Sequence, residues 1–100
     1  MNNSNKPIII FHPVSPVHIK NLDLLKRNFP GHIFRVIYEP HLEWFSEEII
    51  MNMPYECFGF TNQGPPNEIW AGNVRAVLLS TAQIRREPIN LVFEALQRRI

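Results

Sequence analysis

The stretch Pro7-Ile8-Ile9-Ile10-Phe11-His12-Pro13-Val14-Ser15-Pro16 decides how this chain is read. Three isoleucines and a phenylalanine follow one another without any alternation of apolar and polar residues. A strand with one wet face alternates, whereas a strand buried on both faces does not, as at the centre of a parallel sheet. The turn that follows carries two prolines and a serine. Ser15 offers a side-chain oxygen as N-cap. Pro16 fits the first helical position, where the amide it lacks would be unpaired anyway. Ile19, Leu22, Leu25 or Lys26, and Phe29 keep helical spacing until Pro30-Gly31 ends the helix.

The same order of events recurs along the chain. Residues 32–38 form a second apolar run, and Glu39-Pro40-His41 turns it into a second predicted helix. Leu42, Phe45, Ile49 and Met53 lie on one face of that helix, Glu43, Glu47 and Glu48 mostly on the other, and Pro54 stops it. Residues 55–60 read as a third strand, weakened by Gly59. Residues 61–66 read as a loop, Asn67 as the cap of a short helix and Gly72-Asn73 as its stop. Residues 74–80 read as a fourth strand. Pro88 begins a last helix with an apolar stripe of Ile89, Val92, Phe93, Leu96 and Ile100. Arg98 and Arg99 in its final turn suit the negative end of the helix dipole.

Strands that alternate with helices predict an α/β fold with a parallel sheet. Right-handed crossovers give a three-layer, Rossmann-like, doubly wound sheet of about four strands in the order 3-2-1-4. Residues 1–6 are expected to form a polar, flexible tail, and residues 7–100 a single domain. Such a sheet often has a fifth strand, so four strands suggest part of a larger protein.

Composition narrows the function classes. The 100 residues include 45% hydrophobic and 19% charged residues, enough for one core and too apolar for disorder. A net charge of +1 gives no pull toward nucleic acid or acidic membranes. Cys57 is the only cysteine, so no internal disulfide can form, and nothing points to an oxidising compartment. The apolar run that stops at His12 is too short for a membrane span or a signal-peptide core. A soluble cytoplasmic protein is the expectation. One cysteine and four scattered histidines show no metal-ligand spacing, and no cofactor motif is present. Cys57, inside the third strand, reads as a buried inert thiol, and Trp44 and Trp70 as core or sheet cover.

In a parallel α/β sheet, ligands bind at the carboxyl ends of the strands. His12, Ser15 and His18 stand where strand 1 hands over to helix 1. His12 can serve as acid or base, and Ser15 with the amides of the first helical turn can hold a phosphate or carboxylate. Neither G-x-G-x-x-G nor G-x-x-x-x-G-K-[ST] occurs, and Pro13 and Pro16 remove amides that a phosphate cradle would use. The plainer alternative is a capping serine beside a packed or exposed histidine. Arg85 and Arg86 ahead of the last helix can clamp an anion, the alternative being a solvated surface pair; Ser80, Thr81 and Gln83 beside them can hydrogen-bond a polar ligand, although hydroxyls at strand ends more often cap the next turn. Thr61 and Asn62 open a polar loop that can reach a substrate or simply connect two elements. Glu39 lies where dinucleotide-binding folds place a ribose-holding acid, although the glycine motif upstream is missing. His32 reads as a surface residue.

The first strand followed by Ser15-Pro16-Val17-His18-Ile19-Lys20 and a leucine-bearing helix resembles the opening of GT-B glycosyltransferases, of non-hydrolysing sugar-nucleotide epimerases and of polymer-forming glycerophosphotransferases. The strand–helix order up to Ile100 is similar to the first part of their N-terminal half. The epimerase turn of Gly-Thr-Arg-Pro-Glu type is replaced by Phe11-His12-Pro13-Val14-Ser15-Pro16, without the Gly and Arg. The resemblance implies an acceptor-side domain that takes a sugar or phosphate-bearing small molecule. It also implies a C-terminal partner domain holding most of the nucleotide-sugar site, and His12 as the base. The competing expectations are a self-contained flavodoxin-like binding or regulatory domain without catalysis, and a small stand-alone enzyme using His12.

Overall fold

A computed structural model describes residues 5–80 and 85–100. The triple isoleucine forms β1 (Ile8–His12), paired in parallel with β2 (Ile33–Tyr38) on one side and β4 (Val74–Leu79) on the other. β3 (Glu56–Gly59) adds in parallel beyond β2, so the sheet order is β3-β2-β1-β4. This is the three-layer, doubly wound α/β arrangement that the alternating elements predict. The strand order reverses between β1 and β4. His12, the last residue of β1, therefore stands at the switch point.

β1 buries both faces because each is covered by a different layer. Phe11 packs with Leu22 of α1 (Ile19–Asn28) and with Phe34 and Val36 of β2. Ile10 packs on the opposite face with Ile37, Ile69 and Leu91, the last from the C-terminal helix Arg86–Gln97. Ile10, Leu22, Val36, Ile37, Ile69 and Leu91 have no measurable exposure. Burial of that kind contributes about 1.5–3 kcal/mol per large side chain.

Five local readings need correction. The second helix, α2, covers only Glu47–Met51; residues 40–45 are turns and bends, and Ser46 caps α2 by accepting from the Ile49 amide at 3.3 Å. Phe45 is still buried, but from the turn rather than from a helix face. The C-terminal helix, α3, starts at Arg86, two residues before Pro88, which sits in the first turn where a proline is tolerated. Its buried side chains are Pro88, Leu91 and Ala95, while Phe93 and Leu96 are 59% and 63% exposed. The stripe was misplaced because both faces of this helix carry apolar residues. The segment Asn67–Trp70 is a 3-10 helix without a side-chain cap from Asn67, its N-cap position being Pro66. Trp44 is 56% exposed and is not a core residue.

Two glycines mark close approaches. A Cβ at Gly59 would lie 2.9 Å from the Pro40 ring. The residue that weakens β3 on propensity is thus the one its neighbour admits. Gly72 has φ +90°, and a Cβ there would meet Ile8 at 2.8 Å.

Candidate functional site

β1 and β2 run in parallel with Phe11 opposite Val36. That register places His12 at the carboxyl end of β1 and Glu39 just past that of β2, both on the α3 side. Both are fully buried. Glu39 Oε2 lies 3.0 Å from His12 Nε2. A carboxylate accepts only, so Nε2 carries the proton and Nδ1 of the neutral ring holds a free lone pair. Nδ1 is buried with no hydrogen-bond partner among the described residues. Phe60, just beyond β3, meets the imidazole edge-to-face at 5.5 Å.

Arg85, at the N-cap position of α3, turns inward and grips Glu39 with both terminal nitrogens, the NH1 bond to Oε1 being 2.7 Å. His41 Nε2 stands 3.6 Å from the same oxygen, and Glu87 lies close by. Burial pushes the Glu39 carboxyl up; its hydrogen bonds to Arg85 and the Arg85 charge outweigh that, so the net displacement is downward. Burial dominates at His12, overrides the attraction of Glu39 and lowers the imidazole below its ordinary value. The result is a neutral histidine held by an ionised carboxylate that an arginine fixes. Such a histidine can accept a proton at Nδ1 from a group able to reach it.

The other candidates lie in different surroundings. Ser15 occupies the N-cap position of the 3-10 turn Pro16–His18, yet its hydroxyl makes no capping bond; its backbone carbonyl accepts from the His18 amide instead. His18 is half-buried, with Nδ1 unpartnered among the described residues. The Thr61 hydroxyl is spent within its own turn, donating to the Gly64 carbonyl and accepting from the Gln63 amide. Asn62 is exposed in that turn. Thr61 and Gln63 border a separate polar groove of about 300 Å³ shared with Asn67, Glu68 and Glu94. Arg86 points outward, 74% exposed on its side chain, and pairs with Glu87. The two arginines therefore diverge. Thr81 and Gln83 lie outside the described residues.

Sequence reasoning missed Glu39 as the partner of His12. The signal was available: both residues directly follow apolar runs, and adjacent parallel strands bring such ends together. Ser80 turns its hydroxyl to a backbone turn rather than to a free site: it accepts from the Val14 amide at 2.9 Å, and its amide donates to the His12 carbonyl, tying the β1 turn to β4. His32 is half-buried rather than a surface residue. Cys57 is half-buried too, and burial pushes its thiol up to about 11, with Glu56 adding to the effect, which makes it a poor nucleophile. Glu39, His41 and Glu87 place ligand atoms within 4.8 Å of one another. A cation there would have to displace Arg85 from Glu39, so the donor set does not suit a metal.

Fold and site together define an α/β domain with a buried His–Glu–Arg cluster at the switch point of a parallel sheet. Comparison of the chain with protein-family models, with curated proteins and with solved structures finds no match. Among the described residues, no helix is long and apolar enough to cross a membrane.

Proposed function

We propose that this chain is the acceptor-side domain of a GT-B-type transferase acting on a sugar or a polyol phosphate. The observation that carries the proposal is the His12–Glu39 pair at the carboxyl end of β1. In this reading an acceptor hydroxyl gives its proton to His12 Nδ1. Its oxygen forms a bond to the donor's anomeric carbon or phosphorus as the bond to the nucleoside phosphate breaks. Glu39 holds the ring and stabilises the imidazolium, and Arg85 keeps Glu39 in place. The donor belongs to a partner domain, and the protein works in the cytoplasm.

One observation favours a second reading. His12 and Glu39 are both wholly buried, and Arg85 already neutralises the carboxylate. A polar cluster of that kind can be purely structural, in a flavodoxin-like binding or regulatory domain without catalysis. Thermal-shift measurements with nucleoside diphosphates, sugar phosphates and inorganic phosphate, on wild type and His12→Gln, separate the two. A ligand that raises the melting temperature of wild type but not of the variant supports the transferase reading. No shift with any of them rejects it and leaves the structural cluster.

A further inference from the structure

Two buried polar atoms of the strand-end cluster have no hydrogen-bond partner among the described residues: His12 Nδ1 and Arg85 Nε. The first can only accept, because the neutral ring carries its proton on Nε2, and the second can only donate. Both side chains hold Glu39 Oε2 by other atoms, His12 through Nε2 and Arg85 through a terminal nitrogen. The two open atoms therefore lie on the sides of these groups turned away from the carboxylate. A buried donor and a buried acceptor cost free energy until something fills them.

Charge decides what can fill them. Among the described residues, Arg85 is the cation whose charge acts on both His12 and Glu39, and Glu39 takes both of its terminal nitrogens. Glu87 brings a second carboxylate: ligand atoms of Glu39, Glu87 and His41 lie within 4.8 Å of one another. Arg86 answers Glu87 from outside, with its side chain 74% exposed. His41 Nε2 stands 3.6 Å from Glu39, so its imidazole is also directed at a carboxylate. Thr81, Ala82, Gln83 and Ile84, which stand between β4 and α3 in the sequence, carry no charge. Two carboxylates thus face one guanidinium. A phosphate brought here would add negative charge and meet no cation that is not already paired, whereas a neutral compound adds none.

We infer that the acceptor held at this site is an uncharged polyol or sugar and not a phosphorylated one, with one hydroxyl donating to His12 Nδ1 and a second oxygen accepting from Arg85 Nε. The inference rests on the transferase reading and narrows its substrate class. Phe60, edge-to-face with the imidazole at 5.5 Å, supplies an apolar wall for the carbon–hydrogen face of such a compound. Arg85 then serves twice: its terminal nitrogens fix Glu39, and its Nε orients the acceptor.

Glucose and glycerol, each beside its monophosphate ester, provide the test. The His12 ring resonances and the backbone amides are followed by NMR during titration at constant ionic strength. The neutral compound of at least one pair is expected to move the His12 resonances and to bind about tenfold more tightly than its ester. Glu39→Gln frees the Arg85 fork, so in that variant the ester is expected to overtake the neutral compound. A wild type that prefers the ester overturns the inference and leaves the transferase reading in place, since a bound ester still marks an acceptor site. Equal affinities, or a preference that Glu39→Gln leaves unchanged, overturn it as well, because charge then does not select. If none of the four compounds reaches His12, the inference and the transferase reading fall together, and water serves the two buried atoms. The amide spectrum shows whether Glu39→Gln keeps the fold, and the wild-type comparison decides without it.

Discussion

Glu39 is the most constrained side chain of the site: a buried carboxylate whose charge is tolerated because Arg85 covers both oxygens. Removing the cation while keeping the bulk, as in Arg85→Met, leaves a buried charge unpaired. Arg85 is itself 29% exposed on its side chain, and water can replace part of the loss. A destabilisation of about 2–4 kcal/mol is expected by urea denaturation, and the double variant Arg85→Met/Glu39→Gln should recover much of it. Acid sensitivity follows from the same cluster. Both His12 and Glu39 have folded-state values below their ordinary ones, 6.5 and 4.5. The unfolded chain therefore binds protons first, and the stability present above each ordinary value declines as pH falls toward the folded-state value. The melting temperature should begin to drop below about pH 6.5. His12→Gln should remove that upper part of the decline and leave the part below about pH 4.5, which Glu39 governs. A variant with an unchanged profile from pH 7 to 5 would show that His12 does not titrate as the geometry requires. His12 could be singled out from sequence because it ends an apolar run. Arg85 as its indirect support could not, since 46 residues separate it from Glu39 and only the pairing of β4 with β1 brings them together.

The 3-10 helix Asn67–Trp70 is held from outside rather than by its own propensity. Arg35 NH1 donates to the carbonyls of Ile69 and Ala71 at 2.8 and 2.6 Å, and Trp70 donates to Glu94 at 3.1 Å while the Arg98 guanidinium lies 4.7 Å above its ring. Arg35→Met should cost about 1–3 kcal/mol, because two carbonyls lose a partly buried donor. Gly72→Ala combines an unfavourable positive φ with a contact on Ile8, so a loss of similar size, about 1–3 kcal/mol, is expected. Thermal unfolding of either variant checks these values, and a melting temperature equal to wild type would refute the assigned role. The positions of β1, β2, β4 and α1 were legible in the chain, since apolar runs bounded by proline and glycine mark them clearly. α2 was not. Leu42, Phe45, Ile49 and Met53 have helical spacing, but the turns at residues 40–45 bury Phe45 against Tyr38 without a helix.

The molecule has two apolar layers, one on each face of a single sheet. Leu22 anchors the first and Leu91 the second, both without exposure. Leu22→Ala and Leu91→Ala should each destabilise by about 2–5 kcal/mol. Their effects should add, because the sheet separates the two cavities. A double variant far more stable than the sum would mean that the layers repack as one. The parallel sheet and its order follow from local signals: unalternating strands demand cover on both faces, and right-handed crossovers leave few arrangements. Which polar residues meet at the strand ends does not follow from local signals. His12, Glu39 and Arg85 come from three separate connections, and their charges become energetically decisive only once packing has removed the water around them.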